Sequence, residues 1–464
     1  MNTAAQSISA DLLRRYDVAG PRYTSYPTAD RFVEAFSSED YAQALTQRRS
    51  GAVALAPPLS LYVHIPFCES LCYFCACNKI IIKHHDRAAG YLRYLSREVD
   101  LHTAQIGVGQ VVSQLHLGGG SPTFLNDTEL RELIAMLRRN FSFTPGGEYS
   151  IEIDPRTVDS KRLDTLAELG FNRLSFGVQD FDPAVQKAVH RVQPADQLFA
   201  LVEAARARGF ESINVDLIYG LPQQSPASFD RTLAQMAQLR PDRIALYAYA
   251  HLPERFKPQR RIHTVELPSG AAKIAMLSRS LQALVGAGYV YVGMDHFALP
   301  GDSLAVAKRQ GRLHRNFQGY STQPDCDLMG LGVSSIGRMG ATYSQNAKTL
   351  DEYYDALNHG RFPIVRGLAL SRDDLVRRAV IMALMCQGQL QFESIELAYL
   401  VDFKSYFAKE LESMAVLVEQ GMVVVDDSSI EVTAQGWFFV RAVAMEFDRY
   451  LQTDRTRARF SKII

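Results

Sequence analysis

The sequence predicts an α/β protein built on a partial or full β/α (TIM-like) barrel, followed by a mainly helical unit. Between residues 61 and 296, short runs rich in β-branched and aromatic residues alternate with longer stretches in which apolar residues recur every three to four positions. Several short runs are apolar on both faces, which is typical of parallel strands covered by helices. Six or seven such units of roughly 30–40 residues form a barrel, with an open doubly wound sheet as the alternative.

Residues 1–55 precede this repeat and are predicted to form an N-terminal arm. The segment Pro21-Arg22-Tyr23-Thr24-Ser25-Tyr26-Pro27 is aromatic and punctuated by prolines, which favours an extended chain. Composition alone favours an arm that packs on the barrel at least as much as one that contacts a ligand.

Residues 56–366 are assigned to the barrel. The helical spacing is clear around Leu130, Leu133 and Leu137. A further strand is predicted at residues 289–295, after six runs that define the main barrel strands: 61–67, 113–117, 149–154, 173–179, 213–219 and 243–250.

Residues 367–464 are predicted to form a mainly helical C-terminal domain. Within it, the strand–turn–strand pattern of residues 421–433 lies between helices, which is typical of a winged-helix unit. Such units often bind DNA, but the preceding helix carries more acidic than basic residues, which favours a structural or lid role.

Composition narrows the classes of function. The chain has 50 basic and 50 acidic residues, so its charge gives no reason to expect nucleic acid or an anionic membrane as a partner. The apolar stretches are shorter than the ~20 residues that a membrane span needs, and the start lacks an apolar signal core. Six cysteines in 464 residues do not form a disulfide framework. We therefore expect a cytoplasmic protein with reduced thiols.

Four of the six cysteines lie in one loop, as Cys68, Cys72, Cys75 and Cys77. The C-x3-C-x2-C spacing allows three thiolates to bind three irons of a cubane and leaves the fourth iron open to a small molecule. Zinc bound by four thiolates is the alternative, although structural zinc sites usually use two separated cysteine pairs. The spacing favours an iron–sulfur cluster and makes this loop the predicted site of chemistry.

Glycines and polar residues follow several predicted strands. The glycines of residues 118–120 could let the backbone approach a ligand closely and offer it N–H groups. Glu152 ends the third strand, where carboxylates line the active face of a β/α barrel and one could pair with an ammonium group. Asp154 is better placed to cap the next helix. Gln179, Arg191 and Asp216 lie at or just past the ends of later strands.

The cysteine loop, with Phe74 just before its third cysteine, resembles the signature of radical S-adenosylmethionine (SAM) enzymes. Its extension to Cys77 and several long motifs narrow the resemblance to the oxygen-independent coproporphyrinogen III oxidases of haem biosynthesis. Haem-chaperone-like relatives typically lack both the C-x-C extension and the arm. The resemblance covers nearly the whole chain and is clearest in residues 20–29, 118–123, 293–298 and 314–320.

The resemblance implies that Cys68, Cys72 and Cys75 ligate a 4Fe–4S cluster and that two SAM molecules bind beside it. Tyr62 and Glu152 are the implied catalytic residues, and Phe317 and Gln318 would lie near the cofactor pair. Ser121 departs from the family, which commonly has threonine there, but keeps the hydroxyl. The implied site of the first SAM comprises Tyr62, Phe74, Gly119, Glu152 and Ile336. That of the second comprises Gly120, Ser121, Gln179, Arg191, Asp216 and Ala250.

The implied reaction converts two propionates of coproporphyrinogen III into vinyl groups, giving protoporphyrinogen IX through 5′-deoxyadenosyl radicals. A flavodoxin or ferredoxin would supply electrons, and the enzyme would act as a monomer without nucleic acid or membrane. One alternative is a haem-binding chaperone without decarboxylase activity. Another is a protein whose cysteine loop binds structural zinc and whose C-terminal winged-helix unit binds DNA. Cationic and aromatic groups should contact the substrate carboxylates, and the candidates are Arg22, Tyr23, Tyr26, Arg260 and Arg315.

Overall fold

The structure is a computed structural model that describes residues 10–16, 18–50 and 57–453. One twelve-stranded sheet forms the centre of the molecule. Its strands are β1 (Leu59–Ile65), β2 (Gln110–Gly119), β3 (Phe141–Ile153), β4 (Arg173–Gln179), β5 (Ser212–Tyr219), β6 (Arg243–Ala248), β7 (Val290–Gly293), β8 (His296–Ala298), β9 (Asp327–Leu331), β10 (Ile336–Met339), β11 (Thr342–Asn346) and β12 (Ile364–Ala369). Across the sheet they lie in the order β12-β11-β10-β9-β1-β2-β3-β4-β5-β6-β8-β7.

Strands β1 to β6 are parallel neighbours, and β9 pairs parallel with β1 on its other side. The remaining strands pair antiparallel at both ends of the sheet. Residues of β2 to β6 and of β8 line one cavity of about 170 Å³, so the sheet is curved around it. Because the end strands β12 and β7 are not paired with each other, the predicted β/α barrel is confirmed in its partial form.

The barrel strands alternate between a polar inner face and an apolar outer face. On β3, Ser150 and Glu152 face the cavity while Ile151 and Ile153 are buried on the outside. The same period of two recurs on β4 and β5, as a pleated strand requires. The sequence interpretation of strands apolar on both faces was therefore wrong for these strands, because their inner residues surround a cavity rather than a packed core.

Helices cover the outer face of the sheet and pack with it into one large core. Helix α4 shows the local signals well, since Asn126 and Glu129 form a reciprocal capping box at its start. Outside the C-terminal unit, the helices are α1 (Ala10–Arg15), α2 (Ser38–Ser50), α3 (Asp86–Ile106), α4 (Asp127–Asn140), α5 (Ser160–Glu168), α6 (Pro183–Ala188), α7 (Ala195–Ala207), α8 (Pro226–Leu239), α9 (Gly270–Gly286), α10 (Ser303–Arg309) and α11 (Leu350–Asn358). Among the described residues, no helix combines the length and the apolar character needed to cross a membrane.

The run predicted as a seventh barrel strand forms β7, but it is not a parallel neighbour of β6. Strand β8 lies between them and pairs antiparallel with both. Only Met294 and Asp295 connect β7 to β8, and both have positive φ angles. A two-residue turn of this kind makes a hairpin, whereas a parallel pair needs a crossover of a dozen or more residues.

The C-terminal unit contains a second apolar core and a small antiparallel sheet of the strands Gln389–Gln391, Ser429–Val432 and Val423–Val425. This arrangement agrees with the predicted winged-helix-like unit. Its helices are α12 (Arg372–Gln387), α13 (Phe392–Tyr399), α14 (Phe403–Tyr406), α15 (Ala408–Ser413), α16 (Ala415–Glu419), α17 (Val440–Met445) and α18 (Arg449–Thr453). The predicted boundary at 366/367 falls inside β12, and the boundary at 55/56 lies outside the described residues.

The arm packs between the sheet and the C-terminal unit. Tyr23 and Tyr26 are fully buried, and the Tyr23 hydroxyl donates to Asp448 Oδ2 at 2.9 Å. Val33 forms a backbone bridge with Gly367 of β12. The prediction that Tyr23 and Tyr26 contact a substrate is therefore wrong, because their rings are enclosed in the core of the C-terminal unit.

Candidate active site

The cysteine loop follows β1 at the end of the barrel where the parallel strands finish. Short parallel strands Phe67–Cys68 and Ile80–Ile81 close the loop at its base. Segments from other strand ends fix its middle, since Tyr73 N donates to Val189 O at 3.0 Å and Gln259 Nε2 donates to Phe74 O at 3.0 Å. Cys72 is buried, Cys68 and Cys75 are half-buried, and Cys77 is exposed.

Cationic side chains surround the loop. Arg191 Nη1 lies 3.4 Å and Arg156 Nη2 lies 3.6 Å from the Cys72 sulfur. Asp154 bridges both arginines, at 2.6 Å from Arg156 and 3.3 Å from Arg191, and they hold the pKa of its carboxyl below the ordinary value despite its burial. Asp154 also accepts from Arg156 N and so caps the short 3₁₀ turn Pro155–Thr157, whereas the next helix, α5, is capped by Asp159 and not by Asp154 as predicted. Positive groups beside thiols favour the thiolates that bind metal.

The thiols differ in how readily they lose a proton. Burial raises the pKa of Cys68 to about 12, and the neighbouring thiols Cys75 and Cys72 act in the same direction. A hydrogen bond from Cys77 lowers the pKa of Cys75, aided by Lys79. Among the described residues, no three histidine, cysteine or acidic side chains converge as ligands of a single metal ion. Three separate thiolates in a loop flanked by Arg156 and Arg191 fit a cubane, in which each thiolate binds a different iron.

Three of the residues predicted for the first cofactor lie together beside this loop. Glu152 Oε2 accepts from Gly119 N at 3.3 Å, and Glu152 Oε1 lies 3.4 Å from His116 Nε2. The Tyr62 ring stacks on His116 with centroids 5.9 Å apart. Burial raises the pKa of Tyr62 well above its ordinary value, with Glu152 contributing, so the phenol stays protonated. Phe74 lies in the cysteine loop itself, and Ile336 begins β10, two strands from β1 in the sheet.

The three glycines at the end of β2, Gly118 and Gly119 within the strand and Gly120 directly after it, pack closely against neighbouring groups. A Cβ atom at Gly119 would lie 2.7 Å from the His64 ring, and one at Gly120 would lie 2.7 Å from the Pro66 carbonyl. Gly120 N already donates to Ile65 O at 2.8 Å. In this structure the N–H groups of Gly119 and Gly120 donate to Glu152 and Ile65, and their predicted part in binding a cofactor stays a prediction.

Three of the residues predicted for the second cofactor lie around Gly177 of β4. Arg191 Nη2 donates to Gly177 O at 2.6 Å, a Cβ atom at Gly177 would lie 3.0 Å from Gln179 Nε2, and Asp216 of β5 pairs with Gly177 across the sheet. Arg191 lies beside Cys72, Ala250 O accepts from Gln259, and Ser121 N donates to Phe67 O at 2.9 Å. Gln179 has a positive φ of 72° at the end of β4. Asp216 faces the cavity from β5.

Sequence reasoning missed two residues that organise this region. His116 lies between Tyr62 and Glu152, and its Nδ1 is 2.6 Å from the Ser150 hydroxyl. Gln259 is fully buried and joins Phe74 to Ala250 through its amide. Neither residue belongs to a recognisable sequence motif. The alternation of side chains between the two faces of β2 could nevertheless have placed His116 on the inner face.

The cavity beneath the cysteine loop is lined mainly by polar side chains. Gln114 and Glu148 lie at one side, where Gln114 Nε2 donates to Glu148 Oε2 at 2.9 Å. Arg243 pairs with Asp302 at 2.9 Å, and Arg173 with Glu148 at 3.1 Å. Such a lining suits a ligand that carries several polar or charged groups.

Asp216 should make the stability of the cofactor-free protein fall with rising pH. Burial raises the pKa of its carboxyl from 3.8 to about 7, and the charge of Glu152 adds to this, although Asn214 donates to it at 2.8 Å. The folded protein therefore keeps a proton that the unfolded chain loses between these values, so stability is fullest below pH 4 and is lost as pH rises through about 7.

We expect Asp216→Asn to remove this change with pH in the free energy of unfolding, which amounts to up to about 4 kcal/mol in wild type. The change is smaller if water in the cavity hydrates the carboxylate. Denaturant unfolding at pH 5 and pH 8 measures it. The exposed Asp164→Asn is the control, and equal slopes for wild type and the Asp216 variant would contradict the prediction.

A partial β/α barrel with three cysteines in the loop after its first strand and a carboxylate near the end of its third strand is the arrangement typical of a radical SAM protein. Residues 62–236 match the Radical SAM superfamily, and residues 370–439 match the HemN C-terminal domain. Superfamily membership implies a 4Fe–4S cluster and SAM, as predicted.

Curated relatives extend the similarity over the whole chain. The chain is 50% identical to the oxygen-independent coproporphyrinogen III oxidase of Pseudomonas aeruginosa, over 98% of both chains. It is 47% identical to that of Escherichia coli, over 99% of this chain and 100% of the other. A solved structure of the Escherichia coli protein, described as coproporphyrinogen III oxidase (HemN) and a radical SAM enzyme, covers 96% of this chain and 100% of that chain at 48% identity with a TM-score of 0.90. The chain belongs to the family of the oxygen-independent coproporphyrinogen III oxidases, which confirms the resemblance.

Proposed function

We propose that this chain is an oxidoreductase that decarboxylates two propionates of coproporphyrinogen III to vinyl groups, giving protoporphyrinogen IX in haem biosynthesis. The observation that carries the proposal is the identity of 50% over 98% of the chain with a curated oxidase of this name. That match includes the arm and the C-terminal unit as well as the cysteine loop. The haem-binding chaperone alternative is not favoured by these relatives.

The residues around the cysteine loop fit the cofactors that the family implies. Cys68, Cys72 and Cys75 would hold the cluster, and Arg156 and Arg191 would offset the negative charge of its thiolates. Glu152 would accept hydrogen bonds from the amino group of SAM. Held by these residues, the cluster and SAM would supply a 5′-deoxyadenosyl radical, which can take a hydrogen atom from an unactivated carbon.

Two SAM molecules per chain form the finer part of the proposal. Two carboxylates support it, because Glu152 lies at the cysteine loop while Asp216 lies one strand beyond β4 and faces the same cavity. Each could pair with one cationic cofactor. We also propose a cytoplasmic monomer that receives electrons from a flavodoxin or ferredoxin, with no nucleic acid or membrane as a partner.

The test is anaerobic turnover by the reconstituted protein. With dithionite, SAM, coproporphyrinogen III and an added electron acceptor that takes the one electron released with each CO₂, we expect two methionines and two CO₂ per protoporphyrinogen IX. Equilibrium dialysis should give two SAM bound per chain, and a single SAM would refute the finer part. Cleavage of SAM with unchanged porphyrinogen would contradict the substrate assignment and favour a haem-binding role.

A further inference from the structure

Three arginines from distant parts of the chain lie close together beside the cavity. Arg22 belongs to the arm, Arg315 to the strand His314–Asn316, and Arg441 to α17. Arg315 Nε donates to Arg22 O at 3.3 Å, and Arg441 Nε donates to Pro21 O at 3.0 Å. Arg315 and Arg441 are 6% and 4% exposed, respectively. The arm backbone therefore joins the three guanidinium groups into one cluster, called the arginine cluster below.

The positive charge of this cluster is only partly balanced. Asp295 lies 3.4 Å from Arg22, whereas Arg315 has no ion pair among the residues that the structure describes. Burial lowers the pKa of Arg441 to about 10, with the charges of Arg22 and Arg315 acting in the same direction. Burial and the charge of Arg315 lower the pKa of His296 to about 3, so this neighbour stays neutral. Buried charge without a partner is costly, and an anion at this place would remove the cost.

Unused hydrogen-bond donors lie at the same place. In the described part of the chain, Arg315 Nη1 and Gln318 Nε2 are buried and have no acceptor. Gln318 lines the cavity, as does Tyr320, whose ring lies 4.7 Å below the Arg315 guanidinium. A guanidinium that stacks on a ring by its face keeps its edge available for a carboxylate.

Arg22 contacts residues that line the cavity, so this part of the arginine cluster lies next to it. Its guanidinium lies 5.3 Å from the Tyr247 ring, and Tyr247 and His296 both line the cavity. Asp295 holds Arg22 in this position through the ion pair at 3.4 Å. Gln318 and the aromatic rings thus line a space of about 170 Å³, and Arg22 and Arg315 lie directly against two of its lining residues, Tyr247 and Tyr320.

We propose that Arg315, together with Arg22 and Gln318, binds a carboxylate of the substrate, namely a propionate side chain of a tetrapyrrole. This inference rests on the proposed function for the identity of the substrate. Arg441, which donates to Pro21 O on the arm, adds its positive charge to the cluster. The carboxylate of SAM has the same chemistry, so the test separates the two sources.

The test compares ligand binding by reconstituted wild type, Arg315→Gln and Arg315→Lys, held anaerobically. The probes are coproporphyrin III, its tetramethyl ester and SAM. We expect Arg315→Gln to weaken coproporphyrin III binding roughly 10- to 100-fold, because one charged bidentate contact is lost. Arg315→Lys should be intermediate, since it keeps the charge without the fork. The ester should bind wild type and variants equally weakly, and SAM affinity should be unchanged.

The control is Arg279→Gln, which removes an exposed arginine paired with Asp230 and should bind all probes as wild type does. A merely structural Arg315 would lower Tm when replaced, whereas removal of an unpaired buried charge should leave Tm unchanged or raise it. Gln318→Ala provides a second variant, with a smaller loss of coproporphyrin III affinity.

The possible outcomes separate this inference from the proposed function. Unchanged coproporphyrin III binding by Arg315→Gln would overturn the inference even if wild type forms protoporphyrinogen IX. A loss of SAM binding would also overturn it and assign the cluster to the cofactor. If wild type binds coproporphyrin III through Arg315 but forms no product, the proposed function fails and the carboxylate site stands.

Discussion

Cys72→Ser is expected to leave a folded protein that lacks its 4Fe–4S cluster and forms protoporphyrinogen IX at less than about 1% of the wild-type rate. Cys72 is the buried cysteine of the loop, and two guanidinium groups lie within 3.6 Å of its sulfur. Serine cannot supply the soft thiolate that iron–sulfur clusters require. Loss of one ligand of three leaves the cluster without enough bonds to the chain.

The measurement is iron and acid-labile sulfide per chain after anaerobic reconstitution, followed by turnover. Cys326→Ser is the matched control, because Cys326 is also buried, lies far along the chain in the segment before β9, and has a pKa raised to about 11 by burial. It should retain full iron content. Full iron in the Cys72 variant, or zinc in place of iron in wild type, would contradict the cluster assignment.

The features that the sequence predicted correctly are those encoded locally. The ligand spacing of Cys68, Cys72 and Cys75 lies within eight residues, and the alternation of strands and helices is visible in short windows. The position of Glu152 near the end of a barrel strand and facing the cavity was predicted from the same alternation, while its role in catalysis stays a prediction. The runs predicted for β1 to β6 all fall on strands, although β2 and β3 begin at Gln110 and Phe141, ahead of the predicted starts at 113 and 149. The family comparison confirms the barrel that these strands form.

The features that the sequence did not reveal depend on contacts between distant segments. The arginine cluster joins residues 22, 315 and 441, and no pattern in any one segment indicates that they meet. The polar cavity was missed because an inner polar face resembles the solvent-facing side of an ordinary strand. The turn at Met294 and Asp295 contains no glycine, so nothing local predicted the hairpin that excludes β7 from the parallel set.

Glu98→Ala is expected to lower the free energy of unfolding by about 3–5 kcal/mol, the largest stability effect that we predict. The Glu98 carboxylate on α3 is fully buried and accepts hydrogen bonds from Gly332 N at 2.7 Å, Asn346 Nδ2 at 2.6 Å and Tyr353 OH at 2.6 Å. Alanine leaves these donors beside a cavity. Asp100→Ala, an exposed change on the same helix, should stay within about 0.5 kcal/mol of wild type.

This network also links stability to the proposed site of the first SAM. Gly332 begins the segment that leads to Ile336, and Tyr91, also on α3, donates to His64 O at 2.7 Å and accepts from Val333 N at 3.0 Å. Helix α3 therefore fixes the end of β9 to that of β1. We expect Glu98→Ala to raise the KM for SAM as well, and an unchanged KM in a folded, destabilised variant would separate the two roles.

The conservative variant Glu98→Gln should change how stability depends on pH. Burial raises the pKa of Glu98 from 4.5 to about 7, although its three hydrogen bonds act in the opposite direction. Between these values the folded protein holds a proton that the unfolded chain has released. Stability is therefore fullest below pH 4.5 and falls as pH rises through about 7, by up to about 3 kcal/mol.

Glutamine carries no titrating group. The free energy of unfolding of Glu98→Gln should therefore lack this part of the decrease with rising pH, whereas wild type shows it. Denaturant unfolding at pH 5 and pH 8 measures the difference, and Asp100→Asn serves as the uncharged control on the same helix. Parallel slopes for wild type and Glu98→Gln would mean that the three donors hold the carboxylate ionised throughout. In that case the hydrogen bonds of Gly332, Asn346 and Tyr353 outweigh the cost of burial, and the stability of the loop before Ile336 would not depend on the protonation of Glu98.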